Sequence, residues 1–507
     1  SNSRSVDWAG NINGAFNKLT ENNSLISMII GAEIRKNRSE NSSLKAAGFY
    51  DDALNFIGHA TGYPTDSKNK PSGNQDLSTE VGFFANANYM YNNRYYADFV
   101  YRLSGSSKFG SNQRYGQFWS GGLGWNLHNE NFLKFEKLNL LKIRGSVGYT
   151  GKVNFEPFQS ITMYKYENTL EYLHGIGAIP QTIGNDDLKW EREFSYNIGA
   201  DISLFDRRLN ATLDFYLKRT KDLVLDASIA PSTGVVSGKQ NIGEMENKGF
   251  EFSVDGFIIQ RNDVWWQLGM NGSTNKNRIL KISNALKRQN ELNNDVAPTR
   301  QTPAPLAQYE EGESTSALKV VRSAGIDPAT GREVFIKLDG TRTFTYSADD
   351  KVVVGDTDPR FYGNVYTNVF YKGFSLYIMG SFKCGGYLYN VTRASRVEGT
   401  TGRTNVDRRA FDSRWKEVGD IALYRKITEH SVPQQTDRFV EKENVLTITS
   451  VNLGYEFPQR ICQKMMLRNL RLGVNLSDIL RFSNVKVERG LDYLYGNGFE
   501  FTLSTTF

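Results

Sequence analysis

The 507-residue sequence has no long apolar run; its greasiest stretch is Leu25-Ile26-Ser27-Met28-Ile29-Ile30. A helix that crosses a bilayer needs ~20 consecutive apolar residues, so a helical membrane bundle is excluded. Cysteine is nearly absent. Cys384 and Cys462 are the two present, and neither sits in a CxxC pair that would hold zinc or cycle a dithiol. The four histidines, His59, His128, His174 and His430, are scattered and form no HExxH pair. There is no GxxxxGK[ST] phosphate loop, and Ser106 and Ser107 stand in a Gly-Ser-Ser-Lys context, not in a GxSxG nucleophile elbow. Asp356 and Asp358 lack the closing Glu of an EF-hand and read as turn formers. No catalytic residue, no metal and no cofactor is therefore expected, and an enzyme is the least favoured class. Charge of one sign is also missing. Lys and Arg number 61 against 55 Asp and Glu, a net of +6 spread along the chain, so no nucleic-acid footprint is indicated. The opening Ser1-Asn2-Ser3-Arg4-Ser5 carries no signal-peptide apolar region, which suggests a removed leader or a piece of a longer chain.

Aromatics and glycine are plentiful: 26 Tyr, 31 Phe and 46 Gly against 12 Pro. That balance points to β structure. A mean hydropathy of −0.49 does not argue against lipid contact, because a transmembrane β-barrel alternates apolar and polar residues and averages low. Alternation is what the chain displays. Val81, Phe83, Ala85, Ala87, Tyr89 and Tyr91 fall on one face of a strand that ends at Asn92-Asn93. From Leu209, the face Leu209, Ala211, Leu213, Phe215 and Leu217 opposes Asn210, Thr212, Asp214, Tyr216 and Lys218. Segments of ~10 residues with a two-residue repeat suit barrel strands.

A soluble β-sandwich would also have one apolar face per strand. Two features favour the barrel. Apolar faces often end in Tyr or Phe, as aromatic girdles do. Connections also alternate in length. Short turns lie at Asn22-Asn23, Asn92-Asn93, Asp206-Arg207, Gln260 to Asp263 and Tyr371-Lys372-Gly373, and long polar loops at about 36–79, 150–190, 220–246, 276–361 and 384–443. Roughly fifteen strand candidates are found, from Ala9–Leu19 and Leu25–Lys36 to the closing Gly498–Phe507. Single-chain bacterial barrels have even strand numbers, so this odd set is expected to be part of a larger wall.

Several phrases then carry a family resemblance. They are Arg102-Leu103-Ser104-Gly105-Ser106-Ser107-Lys108-Phe109, Asn185-Asp186-Asp187-Leu188-Lys189-Trp190-Glu191, Asn241-Ile242-Gly243-Glu244-Met245-Glu246-Asn247-Lys248-Gly249-Phe250-Glu251, Gly355-Asp356-Thr357-Asp358-Pro359-Arg360-Phe361-Tyr362-Gly363 and Ser413-Arg414-Trp415, with a terminal Phe507. Together they resemble the C-terminal barrel portion of SusC-like TonB-dependent outer-membrane transporters of the Bacteroidetes, over residues 1–507. The resemblance implies an all-β, antiparallel transmembrane barrel of ~22 strands, with plug, TonB box and roughly seven early strands outside this sequence. It implies import of a bulky nutrient, glycan or peptide, across the bacterial outer membrane. The implied partners are the remaining N-terminal portion of the transporter, a SusD-like surface lipoprotein as lid, TonB acting through the plug, and outer-membrane lipid and lipopolysaccharide. The stretch Arg481–Asn497 is shorter than the family's usual loop there. A passive porin-type channel and a soluble glycan-binding protein are the alternatives.

Candidate site residues follow from position. Tyr164, Tyr166 and Tyr172, with Trp415 and Tyr424, lie in long loops and offer rings for ligand stacking, or for packing loop on loop. Asp98, Arg102, Asp214 and Lys218 lie on polar strand faces and are expected to line the lumen. Phe499, Phe501, Leu503 and Phe507 share one face of the last strand and resemble a barrel-assembly signal. Cys384 is placed just past a strand at the outer end and Cys462 at the opposite end, so no bridge between them is expected.

Overall fold

The computed structural model describes residues 2–20, 23–51, 56–62, 72–172, 175–229, 234–235, 237–296, 303–400, 406–486 and 496–506, without the side chains of 167–172, 175–176 and 296. His174 and Phe507 lie outside the described residues. The strands are β1 (Asn2–Leu19), β2 (Ser24–Ser43), β3 (Ser72–Tyr91), β4 (Tyr95–Ser106), β5 (Tyr115–Asn126), β6 (Leu138–Lys152), β7 (Met163–Tyr172), β8 (Gly175–Thr182), β9 (Glu191–Leu204), β10 (Leu209–Ser228), β11 (Ser237–Arg261) and β12 (Val264–Lys281). After helix α1 (Asn284–Val296) come β13 (Ala317–Ile326), β14 (Glu333–Ile336), β15 (Arg342–Thr343), β16 (Lys351–Asp356), β17 (Phe361–Tyr371), β18 (Phe374–Tyr389), β19 (Val440–Glu456), β20 (Asn469–Ser483) and β21 (Gly498–Thr506).

Fifteen of these strands make one sheet in the order β1-β2-β3-β4-β5-β6-β9-β10-β11-β12-β17-β18-β19-β20-β21. Consecutive strands pair because short turns return the chain beside itself. At β17–β18, Lys372 and Gly373 both have positive φ, 45° and 93°, the geometry of a two-residue hairpin turn whose twist matches the strands. Asn92 and Asn93 also adopt positive φ, which asparagine tolerates. The chain divides into two compact units. One comprises Ser1–Gly124, Ser146–Ser195 and Thr220–Gly243; the other Trp125–Gly145, Tyr196–Arg219 and Glu244–Phe507.

The strands run further than hydropathy suggests. β2 continues to Ser43 and β3 starts at Ser72, well inside the stretch 36–79 read as loop. The register shows why: Asn37↔Ser78, Arg38↔Leu77 and Glu40↔Gln75 extend the same ladder. Backbone hydrogen bonds hold this extension, and such bonds need no apolar side chain, so the alternation fades while the strand persists. The same holds at 220–246, where β10 reaches Ser228 and β11 begins at Ser237. Two other long connections carry structure of their own: the hairpin β7–β8 within 150–190, and the sheet β15-β14-β13-β16 with α1 within 276–361. Cys384 is not past its strand. It lies inside β18, opposite Phe361 and Asn444, beside a register shift at Gly386. Both cysteines are free, and Cys462 is buried.

Candidate functional site

In the second unit the two faces of the sheet differ in chemistry. On one face an aromatic row crosses neighbouring strands. Phe215 meets Phe250 at 4.6 Å between ring centres, Phe252 meets Phe361 at 6.0 Å, and Phe361 meets Phe382 at 5.1 Å. The rings of Phe252 and Phe361 meet across β12 because Gly272 lies between; a Cβ there would stand 2.6 Å from one ring and 2.7 Å from the other. Phe215 remains 60% exposed and Leu268 and Val365 are exposed too, so this face is apolar yet uncovered. Exposed contiguous apolar surface of this kind calls for a partner or a lipid phase.

The other face is hydrogen-bonded. Arg144 donates to Asp214 at 2.7 Å, to Asp201 at 3.3 Å and to Asn197 at 3.4 Å. Asp255 accepts from Asn210 and from Gln267, each at 3.3 Å, and the Tyr216 hydroxyl donates to Asn275 at 3.1 Å. Lys218 lies 5.3 Å from the Tyr216 ring centre on the same face. In the first unit Arg102 pairs with Glu33 and donates to Ser104 at 2.7 Å, while Asp98 leans over Gly122. The charges named from sequence thus occur in short networks, two of which involve partners, Arg144 and Glu33, that sequence spacing did not reveal. These partners come from strands whose register only the fold defines.

The phrases that carry the resemblance prove to be fasteners. In the first unit Phe109 packs against Trp190 with ring centres 4.3 Å apart, and Leu188 is fully buried. The Gly110 amide donates to the Leu188 carbonyl, and a Cβ on Gly110 would stand 2.1 Å from the Asp186 carbonyl. Asn241 clamps the same turn: its Oδ1 accepts from the Lys189 amide at 2.9 Å, and its Nδ2 donates to the carbonyls of Lys189 and Asp222. In the second unit the buried Arg414 guanidinium donates to four carbonyls, of Ala410, Arg425, Val397 and Glu398, at 2.8–3.0 Å. Asp356 accepts from the Ser316 hydroxyl at 2.5 Å and the Asp358 amide at 3.0 Å, the turn expected of it.

The aromatic candidates separate. Tyr164 and Tyr166, on β7, are 63% and 72% exposed and present free rings. Tyr172 ends the same strand, and its side chain lies outside the described residues. Tyr424 is only 6% exposed, packed with Val397 and Ala410, so it cannot present its face to a ligand. Trp415 is half-buried; its Nε1 donates to the Pro328 carbonyl at 2.9 Å and its ring covers Gly331. Tyr424 is spent on the packing of its own loop and Trp415 on joining that loop to the 276–361 connection. On β21, Phe499, Phe501 and Leu503 share a face, opposite Leu476, Val474 and Leu472, and are strongly exposed.

A charge network that sequence reading missed holds the long-loop structure of the second unit. Arg438 bridges Glu333 and Glu398, and Arg425 donates to Glu398 at 2.7 Å. Beside it packs a small core of Leu318, Val320, Tyr389, Ala394 and Phe439. These ion-pair partners lie up to 105 residues apart, with no spacing to signal them. Burial opposes the charge on Arg438, but Glu333 and Glu398 outweigh it and hold the guanidinium above its ordinary range. Burial pushes the neighbouring Asp437 carboxyl up, against the opposing bond from the Ser323 amide. A raised carboxyl pKa means the fold bears a cost for the charged form at neutral pH, and that cost vanishes below the unfolded value of about 4. Asp437→Asn, which keeps the acceptor oxygen, is therefore expected to raise the melting temperature at pH 7 and to leave it unchanged near pH 3. Melting curves of both proteins at the two pH values check this; equal melting temperatures at pH 7 would count against it.

Among the described residues no group of His, Cys, Asp and Glu could hold a metal ion, and no helix is long and apolar enough to cross a membrane. Residues 2–475 match the family described as TonB dependent receptor-like, beta-barrel. The chain is 27% identical over 496 residues to TonB-dependent receptor P3 of Formosa agariphila, covering 92% of this chain and 48% of that protein. It is 35% identical over 214 residues to the TonB-dependent receptor SusC of Bacteroides thetaiotaomicron, covering 41% of this chain and 21% of that protein. The solved RagAB peptide transporter has the same fold, with a TM-score of 0.82 at 22% identity, over 95% of this chain and 52% of that one. The chain spans about half the length of the long-matched curated relatives, 48% in each case.

Proposed function

Because the chain belongs to the TonB-dependent receptor β-barrel family and is SusC-like, we propose that it forms wall strands and outer loops of an importer for a bulky nutrient, glycan or peptide. The chain is an outer-membrane β-barrel protein, its apolar face toward lipid and its polar face toward the lumen. The plug with its TonB contact and the further wall strands are the parts that the SusC-like resemblance implies for the whole importer, this chain spanning 48% of the relatives it matches at length. A SusD-like lipoprotein caps the outer loops, the partner that the resemblance to SusC-like receptors implies. The observation that carries this reading is the construction of the outer end. The long loops are not slack connections but a packed assembly with its own sheet, core and buried ion pairs, which can present ligand groups in fixed positions.

Tyr164 and Tyr166, on the β7–β8 hairpin of the first unit, are the strongly exposed loop rings that can stack on a sugar or peptide. Deleting the gene is expected to abolish uptake of labelled oligosaccharides or of labelled peptides, and collapsing the proton-motive force is expected to do the same in the parent strain. Uptake that survives the uncoupler would make the protein a passive channel. Tyr164→Ala with Tyr166→Ala is expected to raise the half-saturating concentration about fivefold, the equivalent of about 1 kcal/mol. An unchanged concentration dependence would remove both tyrosines from the ligand site.

A further inference from the structure

Just beyond the aromatic row, at the long-loop end of β11 and β12, two lysines face each other. The register places Lys248 directly opposite Lys276, two pairs past Phe250↔Thr274, and Glu246 opposite Arg278. By alternation all four side chains belong to the face that carries Phe250 and Phe252. Like charges directly opposed across an antiparallel pair destabilise it unless an anion lies between them. The available carboxylates do not remove the conflict. Glu246 reaches Lys248 only at 4.0 Å, Glu313 is bound to Lys319 at 2.7 Å, and Asp356 is held by Ser316 and Asp358. Among the described residues Lys276, Arg278 and Arg360 make no ion pair or side-chain hydrogen bond. Lys248 and these three cations share with the carboxylates Glu246, Glu313 and Asp356 the lining of a cavity of about 700 Å³ that also borders Tyr387.

A second feature lies on the same face, nearer the short turns. Val254, Gly256 and Ile258 of β11, Leu268 and Met270 of β12, and Val365 of β17 border an open apolar groove of about 740 Å³. Cationic cavity and apolar groove thus follow one another along the same strands, separated by the aromatic row. An aromatic girdle marks the membrane interface, so the cations stand at headgroup depth and the groove at acyl-chain depth.

We propose that this face binds a phosphorylated lipid of the outer leaflet. Its phosphate lies between Lys248 and Lys276, with Arg278 and Arg360 beside it, and its acyl chains fill the groove below. The phosphate accepts hydrogen bonds from both ammonium groups and removes their repulsion; a phosphate without chains would take the cations but leave the groove empty. The bound lipid therefore acts as a structural ligand of the wall.

The test uses the protein purified from outer membranes, stripped of lipid by detergent exchange. Lipid A, its dephosphorylated form and inorganic phosphate are then added separately, with bound lipid read by native mass spectrometry and stability by melting temperature. Lipid A is expected to bind at least about tenfold more tightly than the dephosphorylated form, on the basis of about fivefold for each basic residue near the charge. Inorganic phosphate is expected to give little stabilisation. Lys276→Gln supplies a readout of opposite sign: it should raise the melting temperature without lipid, by relieving the lysine pair, and shrink the increment that lipid A adds. Equal binding of the two lipids would overturn the proposal, as would equal stabilisation by inorganic phosphate. A Lys276→Gln variant with an unchanged lipid increment would also overturn it, and the comparison of lipids on the unaltered protein decides the matter even if that variant fails to assemble.

Discussion

Arg438→Ala is expected to unfold the outer assembly of the second unit while leaving the membrane strands in place. The Arg438 guanidinium donates to Glu333 at 2.7 and 2.8 Å, to Glu398 at 2.8 Å and to the Leu423 carbonyl at 2.7 Å. The side chains of Glu333 and Glu398 are 2% and 0% exposed. Removing the cation leaves one carboxylate buried without an ionic partner and the other with Arg425 alone. Breaking a buried pair from one side costs about 3–5 kcal/mol, because the remaining charge can reach neither water nor a partner. Hydrogen exchange should then rise across residues 317–356 and 406–439, and stay slow in β17 and in the membrane part of β18. A combined Glu333→Gln and Arg438→Met change keeps the Glu398–Arg425 pair and should recover a large part of the loss. If Arg438→Ala alone exchanges as slowly as the parent, the network does not hold the assembly.

Leu268→Arg is expected to block barrel assembly, whereas Gln267→Arg, one residue away, should be tolerated. Leu268 lies four positions from Gly272 on the lipid face, close to the middle of an apolar band ~25 Å tall. Arginine at that depth costs about 2–4 kcal/mol. Gln267 points to the polar face and donates to Asp255 at 3.3 Å, where an added cation meets a carboxylate and water. Heat-modifiable migration on gels and outer-membrane yield report assembly. Equal behaviour of the two variants would contradict the assignment of faces.

The candidate site was legible in the sequence to different depths. Alternation exposed Asp214 and Lys218 as polar-face residues, but not that Arg144 would serve Asp214, because that pairing depends on which strands become neighbours. Tyr164 and Tyr166 stay exposed on a hairpin, while Tyr424 is buried; both are loop tyrosines in a polar context, and only packing distinguishes them. The resemblance-bearing phrases identified the family without indicating a ligand. The structure gives the reason: Trp190 and Asn241 fasten loop to strand and Arg414 ties one loop together, tasks that carry no ligand chemistry.

Sequence alone determined the strand pattern, the short turns and the two chemically distinct faces. These are set within one strand or one hairpin, by side chains two residues apart and by residues that accept positive φ. Tertiary structure decided the strand extensions past the apolar band, the outer sheet with its Glu333–Arg438–Glu398 network, and the opposition of Lys248 to Lys276. Each of those depends on register or on contact between distant segments, where backbone hydrogen bonds and buried charge act without leaving a period in the sequence.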